Sequence, residues 1–328
     1  LAIVVPVIVL MLVLTFVLTH VLPGDPAVLA AGPNATAEQV VAKRHQLGLD
    51  RPLPNQLVTY LGNLAEGNLG DSLQTNQPVV DELLNRVPST LVLITLGQIL
   101  GFLFAVTMAI WTAGRERGPV AAIGGAYGSA GNAMPDYFLA VLLILVFYVV
   151  LSAVPAPLGQ SSPSDPSVPS HTGCYLLDSI IAGNLTGVGA ALGHLVLPVA
   201  TMALAFSAVI YRVAKSAIED ARRAKHVDYA TLMGCSPKYV RRQVLENAAP
   251  PVLTMAGVTY GLLLGGAVIV ETLFAWGGVG QYAITAITNS DYNAVQGFVL
   301  VAGVFSVIVY LVVDLLHAAL DPRVRGMV

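Results

Sequence analysis

Long apolar runs alternate with short polar connections along this chain, and almost every charged residue falls in the connections. The runs lie at about residues 1–22, 89–111, 120–153, 191–214, 251–274 and 294–317. A helix needs roughly 20 mainly apolar residues to cross the hydrocarbon core of a bilayer. Each run is of that order, so the pattern predicts an all-α integral membrane protein with six transmembrane helices.

The connections differ in character. Residues 23–88 read as a small extracytoplasmic domain between transmembrane helix 1 (1–22) and a core bundle of five helices (89–328). "PGDP" (Pro23 to Pro26) forces a turn, because proline fixes its own φ and pushes its predecessor out of the helical region. "TAEQVVAKRHQLGL" predicts a capped helix, with Thr36 at the N-cap, Gln39 three residues in and Gly48 near the stop. "DRPLPNQLVTYLGNLAEG" predicts a second helix after two prolines, and the Pro- and Ser-rich stretch 154–190 an irregular loop.

Composition sharpens the membrane reading. Hydrophobic residues make up 55% and charged residues 11%, against about 25% charged in an ordinary soluble domain. Net charge is −3, but the placement of basic residues says more. Arg115 and Arg117 lie in one short connection, and Arg212, Lys215, Arg222, Arg223, Lys225, Lys238, Arg241 and Arg242 crowd another. Arg323 and Arg325 close the chain, while 154–190 and 275–293 contain no lysine or arginine. The positive-inside rule puts the basic connections and both termini in the cytoplasm. Cys174 and Cys235 then fall on opposite sides and cannot pair. The first run lacks a basic start and a small-residue cleavage site, so it reads as a span rather than a signal peptide. The abrupt apolar start suggests that a short native N-terminus precedes this numbering.

Catalytic motifs are missing. No G-x-x-x-x-G-K-[ST] occurs, and none of the four lysines follows a glycine, so no phosphate-cradling loop is expected. The six histidines are scattered; His171 and Cys174 form a lone pair at spacing three, too little for a metal site. No nucleophile elbow appears, and the basic connection is ordinary for a cytoplasmic loop rather than a nucleic-acid site. Asp136, Glu271 and Asp314 are the ionisable residues within or beside spans, with no lysine or arginine placed to pair with them. An ion-coupled secondary transporter needs matched broken helices with ion ligands at mid-membrane, and no such pattern is visible.

Two spans carry small residues at helical spacing. Gly257, Gly261 and Gly265 share one face, as do Ala121, Gly124, Gly128 and Gly131. Such a face admits a close neighbour. Internal packing of the bundle, a contact with a partner subunit and a moving pathway wall all remain open for it.

The stretch "HVDYATLMGCSPKYVRR" (226–242) is the polar exception in an apolar chain. Gly234 permits a turn, Ser236 fits an N-cap and Pro237 the first helical position, so 212–250 predicts a helix, a turn and a second helix ending at Pro250–Pro251. Ile218, Ala221, Lys225 and Tyr229 are spaced to share one helical face. An element of this kind can dock in a groove of a cytoplasmic partner.

"DYATLMGCSPKYVRRQVLENAAPPV" resembles the EAA loop of binding-protein-dependent ABC importer permeases, E-A-A, three residues, then G. The acidic position falls on Asp228, the second small position on Ala230 and the glycine on Gly234, followed by Cys235 and Ser236; Tyr229 stands where the pattern has alanine. Asn247 precedes the later prolines as in peptide-importer permeases. "LPGDPA", "LGLDRPLPNQLVTYLGNLAEGNLGDSL", "VETLFAWGGVGQYAITAITNSDY" and "LVVDLLHAALDPRVR" are similar, in order, to the dipeptide/oligopeptide (and nickel) permease subfamily.

The resemblance implies a type I importer fold in a bacterial plasma membrane and transport of peptides by alternating access. It implies a second homologous permease, two ATPase subunits that bind ATP and magnesium, and an extracytoplasmic substrate-binding protein. This chain would then be no enzyme and hold no cofactor. Nickel-chelate, haem and glutathione importers share the pattern, and an ion-coupled secondary transporter and a membrane scaffold or sensor are the more distant alternatives.

Overall fold

The computed structural model describes residues 4–21, 25–32, 35–115 and 117–320. "LPGDPA" therefore lies partly, and the basic tail "DPRVR" almost wholly, outside the described residues. Apart from one isolated β-bridge between Asp71 and Pro78, the regular structure described is helical.

Helix α1 (Val4–Val21) is followed by the short α2 (Pro26–Ala31), α3 (Ala37–Gln46), α4 (Leu53–Ala65) and α5 (Val79–Leu84). The predicted capping box is present on α3: the Thr36 amide donates to Gln39 Oε1 at 2.8 Å and the Gln39 amide to Thr36 Oγ1 at 3.3 Å. Gly48, at φ +67°, follows the stop. Neither α3 nor α4 buries a residue. The segment is anchored by fully buried Ala27 in α2, by Tyr60 of α4 stacked on Phe16 of α1 at 5.7 Å, and by its end, where Val79 and Leu83 enter the core.

The bundle proper comprises α6 (Val87–Thr112), α7 (Pro119–Ala133), α8 (Asp136–Leu143) with a π-helical extension (Ile144–Val150), α9 (Tyr175–Ile181), α10 (Leu185–Arg222), α11 (Lys225–Leu232), α12 (Pro237–Leu273), α13 (Val279–Thr288) and α14 (Tyr292–Leu320). Among the described residues, four stretches are long and apolar enough to cross a bilayer: Val79–Thr112, Leu185–Arg222, Pro237–Leu273 and Tyr292–Val312. The apolar run at 120–153 is instead broken at Pro135, which cannot donate to the helix before it and starts α8.

Three boundaries differ from expectation. The irregular stretch expected over 154–190 ends at Cys174, and α9 and the first residues of α10 occupy most of the rest of it. Helix α10 does not stop near 214 but runs 38 residues to Arg222. Helix α12 runs 37 residues straight through Pro250 and Pro251. Those prolines free the carbonyls of Glu246 and Asn247, both on exposed residues, where water can solvate them. Ile218 and Ala221 consequently lie on α10, and Lys225 and Tyr229 on the separate α11, so the four do not form one continuous face.

Helix α10 is the spine, packed most extensively on α6 and α12. Its approach to α6 is set by Gly97 and Gly101. A β-carbon at 97 would stand 2.7 Å from Met202 Cβ, and one at 101 would stand 2.8 Å from the Ala203 carbonyl oxygen. The small residues of α7 serve the same purpose. Gly124 and Gly128 lie against Tyr211, whose hydroxyl is 3.1 Å from Thr112 Oγ1. Leu93, Ile94, Leu195, Met202, Leu263 and Phe274 fill the core toward α13; Ala109, Ile210, Ala214, Ile218 and Val244 fill it toward α11.

The α13 end is closed by buried carboxylates, each satisfied by main-chain amides. Glu271 is fully buried and accepts from Thr90 Oγ1 at 2.5 Å and from the Gly280 and Gln281 amides at 2.7 and 3.0 Å. Those amides are at the start of α13, where unpaired N–H groups favour a negative charge. Asp291 accepts from Ser72 Oγ at 2.6 Å and from the Ala294 amide at 3.2 Å, tying the segment before α5 to the start of α14. The 152–174 loop folds back over this end. Gln160 donates to the Trp276 carbonyl at 3.1 Å, and Asp165 Oδ2 lies 2.9 Å from Nε2 of buried His194 on α10.

These contacts have measurable consequences. Gly101→Leu should destabilise the bundle by about 1–3 kcal/mol through overpacking, read as a lower unfolding midpoint in detergent, whereas Gly189→Ala, with no heavy atom within 4 Å of the new β-carbon, should leave it unchanged. The amide and hydroxyl of Ser162, then His194, hold the Asp165 carboxyl below the usual carboxylate range. A group whose pKa is lowered by folding stabilises the fold above its ordinary value and loses that contribution as pH falls through the lowered one. Asp165→Asn should therefore speed hydrogen exchange across 160–174 at pH 7. The difference from wild type should shrink to nothing as pH falls through the lowered pKa.

Candidate functional site

The polar insert emerges from the packed spine. After α10 ends at Arg222, two residues separate it from α11 (Lys225–Leu232). Helix α11 stops in a Schellman arrangement, with the Cys235 amide donating to the Ala230 carbonyl at 3.1 Å and the Gly234 amide to that of Thr231 at 3.1 Å. Gly234 is at φ +74°, where side chains other than glycine's are strained. Ser236 then caps α12, its Oγ accepting from the Tyr239 amide at 3.3 Å, and Pro237 opens the helix. Thus the predicted turn chemistry forms at the predicted residues.

Three contacts seat the insert on the bundle. Val227 is buried in the cluster formed by Ile218, Val244 and Ala248. His226 Nε2 lies 3.0 Å from Asn247 Nδ2 on α12. Arg222 Nη1 donates to the Ala113 carbonyl at 3.1 Å, with its guanidinium packed over Gly114.

The opposite side of α11 is bare. Tyr229 is 64%, Leu232 86% and Met233 65% exposed, and Tyr239 lies exposed at the start of α12. Asp228, Cys235 and Ser236 are exposed around them, and Ala230 is half-buried. Three large side chains facing water at α11, with a fourth at the start of α12, mark an interaction surface rather than a solvated loop. Lys225, Lys238 and Arg241 rim it with positive charge.

The other candidates fall elsewhere. Gly257, Gly261 and Gly265 occupy the apolar half of α12. A β-carbon at Gly261 would meet Tyr310 of α14 at 3.6 Å, an ordinary contact, while Gly265 is exposed with nothing within 4 Å. Close approaches to a neighbouring helix lie instead at Gly97, Gly101 and Gly266, where an added β-carbon would stand 2.7–2.8 Å from the facing residue. Spacing of four at 97 and 101 was the available signal for the first two, but nothing marks Gly266 apart from its neighbour. Cys174 is buried and Cys235 exposed, both as free thiols.

Comparison with known proteins places this architecture. The family described as "Binding-protein-dependent transport system inner membrane component" matches residues 101–326, and its N-terminal counterpart matches residues 1–94. The chain belongs to that family. A dipeptide transport system permease protein from Alkalihalophilus pseudofirmus is 32% identical, covering 99% of this chain and 97% of its own. A probable D,D-dipeptide transport system permease protein from Escherichia coli strain K12 is 37% identical over 94% and 91% of the two chains. A glutathione transport system permease protein from the same strain is 32% identical over 93% and 90%. Among solved structures, an amino acid ABC transporter chain shares the fold at a TM-score of 0.53, with 14% identity, over 73% of this chain and 94% of that one. The membrane component thus spans nearly the full length of its curated relatives, and α11 belongs to the part matched by the main family.

Proposed function

We propose that the chain is one of two permease subunits of an ATP-driven importer of short peptides. The exposed face of α11 carries this reading: an apolar, cation-rimmed surface mounted on the two longest helices, in a chain whose relatives are named for dipeptides. Glutathione, carried by another named relative, is itself a short peptide and fits the same class.

In this reading the bilayer is crossed six times, by α1, α6, α7–α8 with its π-helical extension, α10, α12 and α14. The α11 end and both termini are cytoplasmic, at a bacterial plasma membrane. Residues 23–88 and the 152–174 loop are outside, where a substrate-binding protein delivers the peptide. Partner ATPases bind ATP and magnesium, and one of them grips α11 through Tyr229, Leu232 and Met233, with Asp228, Ala230, Cys235 and Ser236 shaping the contact and Gly234 its exit turn. A homologous permease completes the pathway, with the face of Gly257, Gly261 and Gly265 lining or adjoining it. Hydrolysis biases an equilibrium between inward- and outward-facing states through the different affinity of the ATPases for each. This chain moves; it does no chemistry of its own.

Two experiments test the reading. In a background lacking Cys174 and Cys235, Val58→Cys and Ser164→Cys should react with an impermeant maleimide added outside intact cells, and Lys238→Cys only after permeabilisation. The inverse pattern would overturn the orientation. Leu232→Glu places charge on the gripped face, and Gly234→Val strains the turn by about 1–3 kcal/mol, so each should cut capture of the ATPase subunits and coupled peptide uptake about ten-fold. Wild-type capture and uptake by both insert variants would show that α11 is not the grip.

A further inference from the structure

The carboxylates within or beside the apolar runs have different fates. Glu271 is consumed by the start of α13, and the Asp314 side chain lies outside the described residues. Asp136 remains. It opens α8 just beyond the Pro135 break, is half-buried, and makes no hydrogen bond or ion pair among the described residues. No lysine or arginine occurs between Gly118 and Tyr211, nor between Gln243 and Pro322, so neither α8 nor the apolar half of α12 offers it a cation.

Helices α8, α10 and α12 meet beside it. Asp136 Oδ2 lies 3.7 Å from the position a β-carbon on Gly266 would take, and Phe206 Cζ and Cε2 lie 2.8 and 3.0 Å from the same point. A carboxylate from α8 and an aromatic ring from α10 thus converge on a glycine of α12, where no side chain could stand. The adjoining Gly265 is exposed and has open space where its side chain would be. An unpaired carboxylate in an apolar bundle is costly, and a carboxylate beside an aromatic ring is the chemistry that attracts an ammonium group. Ionisable residues at this depth mark pathways when no structural partner accounts for them.

We propose that the exposed side of Asp136 is a cation station in the translocation pathway, where its carboxylate meets the ammonium group of the passing peptide. The identity of the passenger rests on the peptide-importer reading; the cation preference of the carboxylate does not. Asp136 is on this account a substrate-contacting residue, and Phe206, packed on Gly266, holds its inner side.

The test uses the complete reconstituted importer in the cysteine-free background. With Gly265→Cys, a trimethylammonium-bearing methanethiosulfonate should label the introduced thiol about ten-fold faster than a sulfonate-bearing one, after correction for their rates with a free thiol. Adding Asp136→Asn should erase that preference. With dialanine as passenger, Asp136→Asn alone should lower uptake about ten-fold while binding-protein-stimulated ATP hydrolysis is retained, and Asp136→Glu should restore uptake. A folding defect would lower hydrolysis as well and would not respond to the charge-conserving variant. Either an unlabelled thiol or an unchanged reagent preference in Asp136→Asn would overturn the proposal, as would wild-type dialanine uptake by that variant. A carboxylate that only offsets the dipole of α8 predicts an unlabelled thiol and normal uptake. If the wild-type complex moves no dialanine yet the reagent preference and its loss are observed, the peptide reading fails and the cation station stands.

Discussion

The close contact between α6 and α10 governs the rest of the bundle. Two glycines one turn apart let the α10 backbone approach so closely that the Ala203 carbonyl stands where a side chain on residue 101 would be. In hydrocarbon the hydrophobic effect does not press helices together, so packing at such small residues and interhelical hydrogen bonds must hold them. Once α10 is fixed against α6, helices α7, α8, α9 and α12 have a common surface to pack on. The same constraint of satisfying every backbone group within the chain favours long unbroken helices. A 38-residue α10 is about 57 Å long at 1.5 Å per residue. It reaches from the carboxylate-closed α13 end to the base of α11.

The two ends of this spine are built with different chemistry. At the α13 end, Glu271, Asp291 and Asp178 are buried and satisfied by main-chain amides or hydroxyls, which locks loops to helix starts. At the α11 end, the insert is seated by Val227, a His226–Asn247 contact and the Arg222 hydrogen bond to Ala113. Its outer face is left apolar and unfilled. One end is therefore closed as a unit, and the other leaves an apolar face exposed. In the proposed importer, a push on α11 enters α10 through a two-residue link and α12 through one tight turn.

Much of this was legible in the sequence wherever a local chemical rule decided the structure. Thr36 and Gln39 announced a capping box, and Gly234, Ser236 and Pro237 a helix stop and restart; all five residues act as read. The four membrane-length helices among the described residues fall on four of the six apolar runs. What escaped were features set by tertiary surroundings. Residues 215–222 and 238–250 are polar, so a hydropathy window ends there, but the helices continue because helix formation does not require lipid. Pro250–Pro251 read as a stop because proline lacks a donor, yet the carbonyls it frees belong to exposed residues. In a span apolar all round, nothing in the pattern distinguishes Gly97 and Gly101, which are buried in a helix crossing, from Gly265, which faces open space. The partners of Glu271 were similarly hidden, since Thr90 is 181 residues away in sequence.

If the proposed importer is driven through α11, then α10 and the insert must move as one rigid lever. Spin labels at Leu185→Cys, at the far end of α10, and Leu232→Cys, on α11, measure it directly by electron–electron distance spectroscopy in the reconstituted complex. The account predicts one narrow distance distribution that stays the same without nucleotide, with bound ATP and after hydrolysis. A distance that shifts between these states by more than the width of that distribution would show that α10 bends or that α11 hinges on it, and would contradict the rigid lever.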